Sequence, residues 1–278
     1  MSSLWRLLAL LLTLVLTAPL ASASGYERVE IPMDGGHLDG VLFRPVGPGP
    51  FPAVVALHGC GGLWREPGKL SLRHSDWGER LAAAGFLVLM PDSYGSRGLG
   101  SQCGVKDLTV RAGRERTGDV AAARLFLQQR GDIRPAAISL IGWSGGGSTV
   151  LNAVRKDKAP NDGKPDFRRA VTFYPGCRAQ SEAPSFAVRM PLLILMGADD
   201  DWTPVAPCSY LTRAAQMRGE AVELVTYPGA VHDFDHPRLD LKERDNVAFS
   251  ATGKATVGTN PAARADALKR VESFLKAP

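Results

Sequence analysis

The chain has only four cysteines, Cys60, Cys103, Cys177 and Cys208, and no two of them form a CxxC pair. That absence argues against a zinc site, whose ligands usually come in such pairs. Beyond the first twenty residues no stretch is long and apolar enough to span a bilayer. Charge does not cluster either: the net +5 is scattered, with no basic run and no interleaving of basic and aromatic residues. Such scatter reads as solvated surface and excludes a nucleic-acid footprint. Internal repeats and low-complexity tracts are absent as well.

What is present is globular. Of 278 residues, 45% are hydrophobic and 22% charged. The length allows one large or two small domains, with a core that needs neither metal nor disulfide. The opening MSSLWR, the apolar LLALLLTLVLTAPL and the small residues Ala21-Ser22-Ala23 together read as a secretory signal peptide over residues 1–23. A membrane anchor is the alternative, but the run falls short of the roughly 20 residues that spanning requires. Loss of Arg6 with the leader would leave the exported chain, residues 24–278, near +4. In an oxidising compartment an even cysteine count suggests two disulfides, with isolated buried thiols as the alternative.

Apolar β-branched runs alternate with helical patterns. Strands are expected at Phe51–Leu57, Phe86–Met90, Ala137–Ile141, Ala170–Tyr174, Pro191–Met196 and Val222–Tyr227, after an entry hairpin, Tyr26–Met33 with Leu38–Arg44. Helices are expected at Ser75–Ala84, Asp119–Gln129, Gly145–Arg155, Val205–Arg218 and along the Leu268, Val271, Leu275 stripe. This alternation predicts an α/β fold: a mostly parallel, doubly wound sheet with helices on both faces. Ser93–Arg114 and His236–Pro261 read as long irregular segments that shape or cover a pocket.

Sites in such sheets lie beyond the carboxyl ends of the strands. There Gly142-Trp143-Ser144-Gly145-Gly146 follows a strand and opens a helix, the context of a nucleophile elbow. The turn exposes the serine hydroxyl, and tiny residues two positions to either side let strand and helix approach. A phosphate loop would need a Gly-Lys-Ser/Thr sequence, and no lysine is present here. Serine needs a base. Only His232 and His236 follow Ser144, and His232 stands directly beyond a strand. The acid falls between, in Gly197-Ala198-Asp199-Asp200-Asp201; Asp200 is expected, with Asp201 next. The oxyanion donors are expected to be the N–H groups of Gly145 and of Cys60, in the loop His58-Gly59-Cys60-Gly61-Gly62. His58 precedes the nucleophile and reads as a structural loop residue.

LHGCGG (57–62), SDWGERLAAAGF (75–86), MPDSYGSRG (90–98), IGWSGGG (141–147), FYPGC (173–177), GADDDWTP (197–204) and YPGAVHDFD (227–235) together resemble the dienelactone hydrolase family of α/β-hydrolases. The resemblance spans nearly the whole exported chain. It implies a single α/β-hydrolase domain, the triad Ser144, Asp200 and His232, and hydrolysis of an ester or lactone-type bond through an acyl-enzyme. The family's namesakes use cysteine as nucleophile, where this chain has Ser144. Arg97 lies near the namesakes' carboxylate-binding arginine; it and Trp143 are the expected substrate contacts. The sheet order that the resemblance implies favours the pairs Cys60–Cys103 and Cys177–Cys208 among three possible connectivities. The expected partner is a small ester or lactone, with no cofactor, metal, nucleic acid or lasting membrane contact. A peptidase or polyester hydrolase on the same triad, or an inactive binding protein, are the alternatives.

Overall fold

A computed structural model describes residues 25–278 apart from Pro184. The expected leader, residues 1–23, lies outside the described residues. Eight strands form the main sheet: β1 Glu27–Met33, β2 Gly36–Phe43, β3 Phe51–Leu57, β4 Leu87–Pro91, β5 Ile133–Trp143, β6 Ala170–Phe173, β7 Leu192–Gly197 and β8 Val222–Tyr227. Their spatial order is β1-β2-β4-β3-β5-β6-β7-β8. The entry hairpin β1–β2 joins β4 antiparallel, and every later pairing is parallel. The helices are α1 Leu72–Ala83, α2 Glu115–Gln128, α3 Gly145–Ala153, the single turn α4 Arg178–Ser181, α5 Val205–Met217 and α6 Pro261–Lys276. This is the mostly parallel α/β sheet that the alternating pattern predicts, in the α/β-hydrolase arrangement that the resemblance implies.

The central strands are apolar because both faces are covered. All five residues of β4 and all six of β7 are buried, which a half-solvated strand with alternating polarity could not be. Helix α1 begins a turn earlier than its apolar spacing suggests because Ser71 caps it, accepting a hydrogen bond from the His74 N–H. It ends where Gly85 turns to φ +97°. Strand β5 starts four residues before its apolar run, pairing Ile133 with Phe51 across a register shift. In α6 the buried stripe is Ala263, Ala267, Val271 and Leu275, while Leu268 is only partly buried.

The two segments expected to be irregular contain short elements: a 3-10 turn at Gly95–Arg97, and a small hairpin of β9 Lys242–Arg244 against β10 Ala255–Val257. The hairpin packs Val257 and Ala255 around Trp202 and Cys103. Disulfides join Cys60 to Cys103 and Cys177 to Cys208, the pairing the resemblance implies. Each ties the end of one strand's loop to a distant segment. Replacing Cys177 and Cys208 together by serine is expected to lower unfolding free energy by about 2–4 kcal/mol. A guanidinium unfolding curve superimposable on wild type would refute that.

Candidate active site

Six loops converge at the carboxyl edge of the sheet. At its centre the chain turns from β5 into α3 through Ser144, held at φ 51°, ψ −117°. A non-glycine residue there is strained. Local clearances show what the strain needs. A Cβ on Gly142 would lie 2.4 Å from the Gly146 carbonyl oxygen, and one on Gly146 would lie 2.2 Å from that of Leu57. A Cβ on Gly147 would meet Thr172 Oγ1 at 2.3 Å, so this third glycine admits β6. The Ser144 N–H donates to the Phe173 carbonyl at 2.9 Å, pinning the turn to β6.

Ser144 Oγ stands 3.1 Å from His232 Nε2, and His232 Nδ1 stands 2.8 Å from Asp200 Oδ2. All three residues are buried. Asp200 Oδ1 accepts the N–H groups of Trp202 at 3.0 Å and Thr203 at 2.8 Å, while Oδ2 meets the histidine and also accepts the Thr203 hydroxyl at 3.0 Å. Asp201 instead binds Thr256 through both carboxylate oxygens, and Asp199 is exposed. Burial disfavours charge on His232, but the charge and hydrogen bond of Asp200 outweigh it and raise the imidazole pKa.

The Cys60 nitrogen lies 3.6 Å from where a Cβ on Gly145 would sit, so the two residues expected to supply oxyanion donors stand side by side. Gly145 opens α3, where an N–H has no acceptor within the helix. Arg116 braces the other side of that loop, donating Nη2 to the His58 carbonyl at 2.7 Å and Nε to Ser93 Oγ at 3.3 Å. His58 is a structural residue. Its Nε2 accepts the Ser93 N–H at 3.1 Å and its Nδ1 meets the Gly59 carbonyl at 2.8 Å. Burial, then Arg116, push its pKa well down, so the ring is neutral. His236 lies beyond the triad, accepting the Arg238 N–H at 3.0 Å.

The two expected substrate contacts are corrected. Trp143 is wholly buried and donates its indole N–H to Asp235 at 2.8 Å. As the last residue of β5 it points into the core, away from the cavity that its neighbour Ser144 faces. Arg97 forms a two-pronged pair with the buried Asp119, at 2.6 and 3.1 Å, and also donates to the Ser93 carbonyl. It lines neither cavity that reaches Ser144.

Sequence reasoning missed a buried carboxylate three residues beyond His232. Asp235 accepts the indole N–H groups of Trp77 at 2.7 Å and Trp143 at 2.8 Å, and the Tyr174 hydroxyl at 2.5 Å. Arg73 stands 3.4 Å away. Tyr174 in turn sets its ring 4.4 Å from His232, from a backbone at φ 36°. Asp235 thereby links the histidine loop, the elbow and α1. The YPGAVHDFD stretch contained it, but only three-dimensional packing reveals its donors.

Two cavities meet at Ser144. One, of about 570 Å³, is flanked by Gly145, Val110, Pro207 and Phe249. The other, of about 520 Å³, is flanked by His232, Arg73, Lys242 and Arg244. Cys60, Cys103 and Trp202 border both. Among the described residues no group of His, Cys, Asp and Glu is arranged to hold a metal ion.

Known proteins resemble the chain in sequence and in fold. A lactonase from a Bradyrhizobium species, named as a probable 2-oxo-3-(5-oxofuran-2-ylidene)propanoate lactonase, is 26% identical over 221 residues, covering 75% of this chain and 83% of the relative. A dienelactone hydrolase-like promiscuous phosphotriesterase from metagenomic libraries superposes with a TM-score of 0.67 at 19% identity, covering 90% of this chain and 96% of the other. Native esterase 2 of Thermogutta terrifontis superposes at 0.62 and 17% identity, covering 90% and 91%. The model of the dienelactone hydrolase family matches residues 38–278, from the second strand through the last helix and across every loop of the site. The chain therefore belongs to the dienelactone hydrolase family, a family of carboxylic ester hydrolases.

Proposed function

We propose that the protein hydrolyses a small ester or lactone through an acyl-enzyme on Ser144. The observation that carries this reading is the continuous relay from Ser144 Oγ to His232 to Asp200, at 3.1 and 2.8 Å. Ser144 Oγ attacks the acyl carbonyl while His232 Nε2 takes its proton. The Gly145 and Cys60 N–H groups receive the oxyanion; a donor so placed is worth about 3–4 kcal/mol in the transition state. His232, now an imidazolium steadied by Asp200, gives the proton to the departing alkoxide. It then takes a proton from a water that attacks the acyl carbon, and hands that proton to Ser144 Oγ as the serine–acyl bond breaks and the acid departs. The two disulfides support an exported working place, because such bonds persist in oxidising compartments.

The test is a panel of short p-nitrophenyl esters, lactones and peptide amides, run beside fluorophosphonate labelling. Esters or lactones should turn over, and the label should sit on Ser144. Turnover of amides alone would favour a peptidase, and absence of labelling would favour a binding protein.

The pH dependence has a definite sign. His232 must be neutral to accept the serine proton, and Asp200 raises its pKa above the ordinary value of 6.5. The ratio kcat/KM should therefore be low in acid and rise through a midpoint above 6.5. In Asp200→Asn the residual activity should titrate at a lower midpoint, because the anion that favours imidazolium is gone. An unchanged midpoint in that variant would count against the relay.

A further inference from the structure

One polar side chain beside the relay has no task in the mechanism above, on which this inference rests. Thr203 stands three residues after Asp200, and its hydroxyl lies 3.0 Å from Asp200 Oδ2, 3.2 Å from His232 Nδ1 and 3.1 Å from the Tyr174 carbonyl. Its amide donates to Asp200 Oδ1 at 2.8 Å. Among the described residues no other side chain bonds to both the acid and the base. The local sequence limits its freedom. Threonine is branched at Cβ, which stiffens χ1, and the following Pro204 narrows the backbone choices of Thr203.

Counting protons shows what the hydroxyl does. His232 Nε2 must be free to take the Ser144 proton, so Nδ1 carries the ring hydrogen and donates it to Asp200 Oδ2 at 2.8 Å. Oδ2 and the Tyr174 carbonyl can only accept. The single Thr203 hydroxyl hydrogen is therefore shared between them, and at Oδ2 it draws on the same oxygen as the ring. A donor to a carboxylate disperses its charge. Here the positive end of the O–H also lies beside the ring, which disfavours an imidazolium there. Both Asp200 oxygens are thus held by Thr203, one by its amide and one by its hydroxyl.

The other groups that face His232 do not touch the bond between Nδ1 and Oδ2. Asp233, from the same loop, favours the imidazolium; Arg73, from α1, opposes it and pairs with Asp233 at 2.6 Å. Burial lowers the pKa of His236, and burial with Arg73 holds that of His74 at about 3. The Tyr174 phenol is raised well above its ordinary value by burial and donates to Asp235. Trp202 offers His232 only its ring, and Lys242, Glu243 and Arg244 of β9 border the same cavity.

We propose that Thr203 is the positioning residue of the relay: its hydroxyl pins the carboxylate of Asp200 and tempers the pull of that carboxylate on His232, so that the ring serves as a base near neutral pH.

Thr203→Val keeps the shape and removes the hydroxyl, whereas Thr203→Ser keeps the hydroxyl and removes a methyl. The pH dependence of kcat/KM for a short p-nitrophenyl ester, followed from about pH 5 to 10, separates them. In the valine variant the acid-side midpoint should rise by about 0.5–1 unit, because Asp200 then acts on the ring undivided. The loss of activity should be about 10- to 30-fold in acid and shrink to about threefold on the alkaline plateau, where a freer carboxylate still spoils alignment. That plateau loss should fall on kcat, with KM nearly unchanged. The serine variant should titrate with wild type. An NMR titration of the His232 ring should give the same order of midpoints with no substrate present. A valine midpoint equal to or below that of wild type, or a serine variant that titrates with valine, would overturn the assignment. Should valine prevent folding, Thr203→Ala removes the same hydroxyl without added bulk and is judged by the same midpoint. If Asp200→Asn lowers the midpoint while removal of the Thr203 hydroxyl leaves it, only the role of Thr203 falls. If neither variant moves it, the relay reading falls as well.

Discussion

Ser144→Ala is expected to reduce ester turnover by about 10⁵–10⁶-fold, the scale seen when a triad nucleophile is removed. The loss should fall on kcat. The alanine keeps both cavities and the Gly145 and Cys60 amides, so ground-state binding of the ester should persist and KM should change little. A residue of catalysis above the uncatalysed rate should also survive, because the oxyanion donors act without the nucleophile. The variant should be about as stable as wild type, since alanine keeps the Cβ and with it the strain of φ 51°, and only the hydroxyl is lost. Turnover within about tenfold of wild type would show that another group attacks and would end the assignment.

The second large effect is on stability. Asp235→Ala should lower unfolding free energy by about 4 kcal/mol, with a fall in melting temperature on the order of 10 °C. The carboxylate is wholly buried and accepts from two indoles and a phenol. Without it, three donors, Trp143 on β5, Trp77 on α1 and Tyr174 just after β6, face a cavity with no acceptor, and each orphaned group costs about 1–3 kcal/mol. Asp235→Asn keeps one carbonyl oxygen and should lose roughly half as much. A melting temperature within 2 °C of wild type for the alanine variant, under the scale of one lost buried hydrogen bond, would mean that water fills the gap and the hub is dispensable.

Much of this molecule could be read before its coordinates. Strand ends and chain order are local properties, and the site is made from strand ends. Ser144, Asp200 and His232 each follow an apolar run, in the order the fold demands, and the structure brings them within hydrogen-bond reach. Even the choice of Asp200 over Asp201 has a local cause. The former turns back to cap the Trp202 and Thr203 amides, while the latter points out to Thr256 on β10. The errors came where a distant partner decides. Arg97 sits in the expected loop, but Asp119, 22 residues on, claims its guanidinium. Trp143 adjoins the nucleophile, yet strand alternation sends its side chain to the opposite side, where Asp235 waits 92 residues away. The β9–β10 hairpin escaped notice because KER has no apolar alternation to signal a strand.

The border that the two cavities share includes a bond between two sulfur atoms, Cys60 to Cys103, so it depends on surroundings as well as on folding. In a reducing cytoplasm that bond would be two thiols. The loop bearing the Cys60 amide, one of the two proposed oxyanion donors, would then have no covalent tie to the segment around Cys103. The redox state of the surroundings would thus set how firmly that amide is held in place.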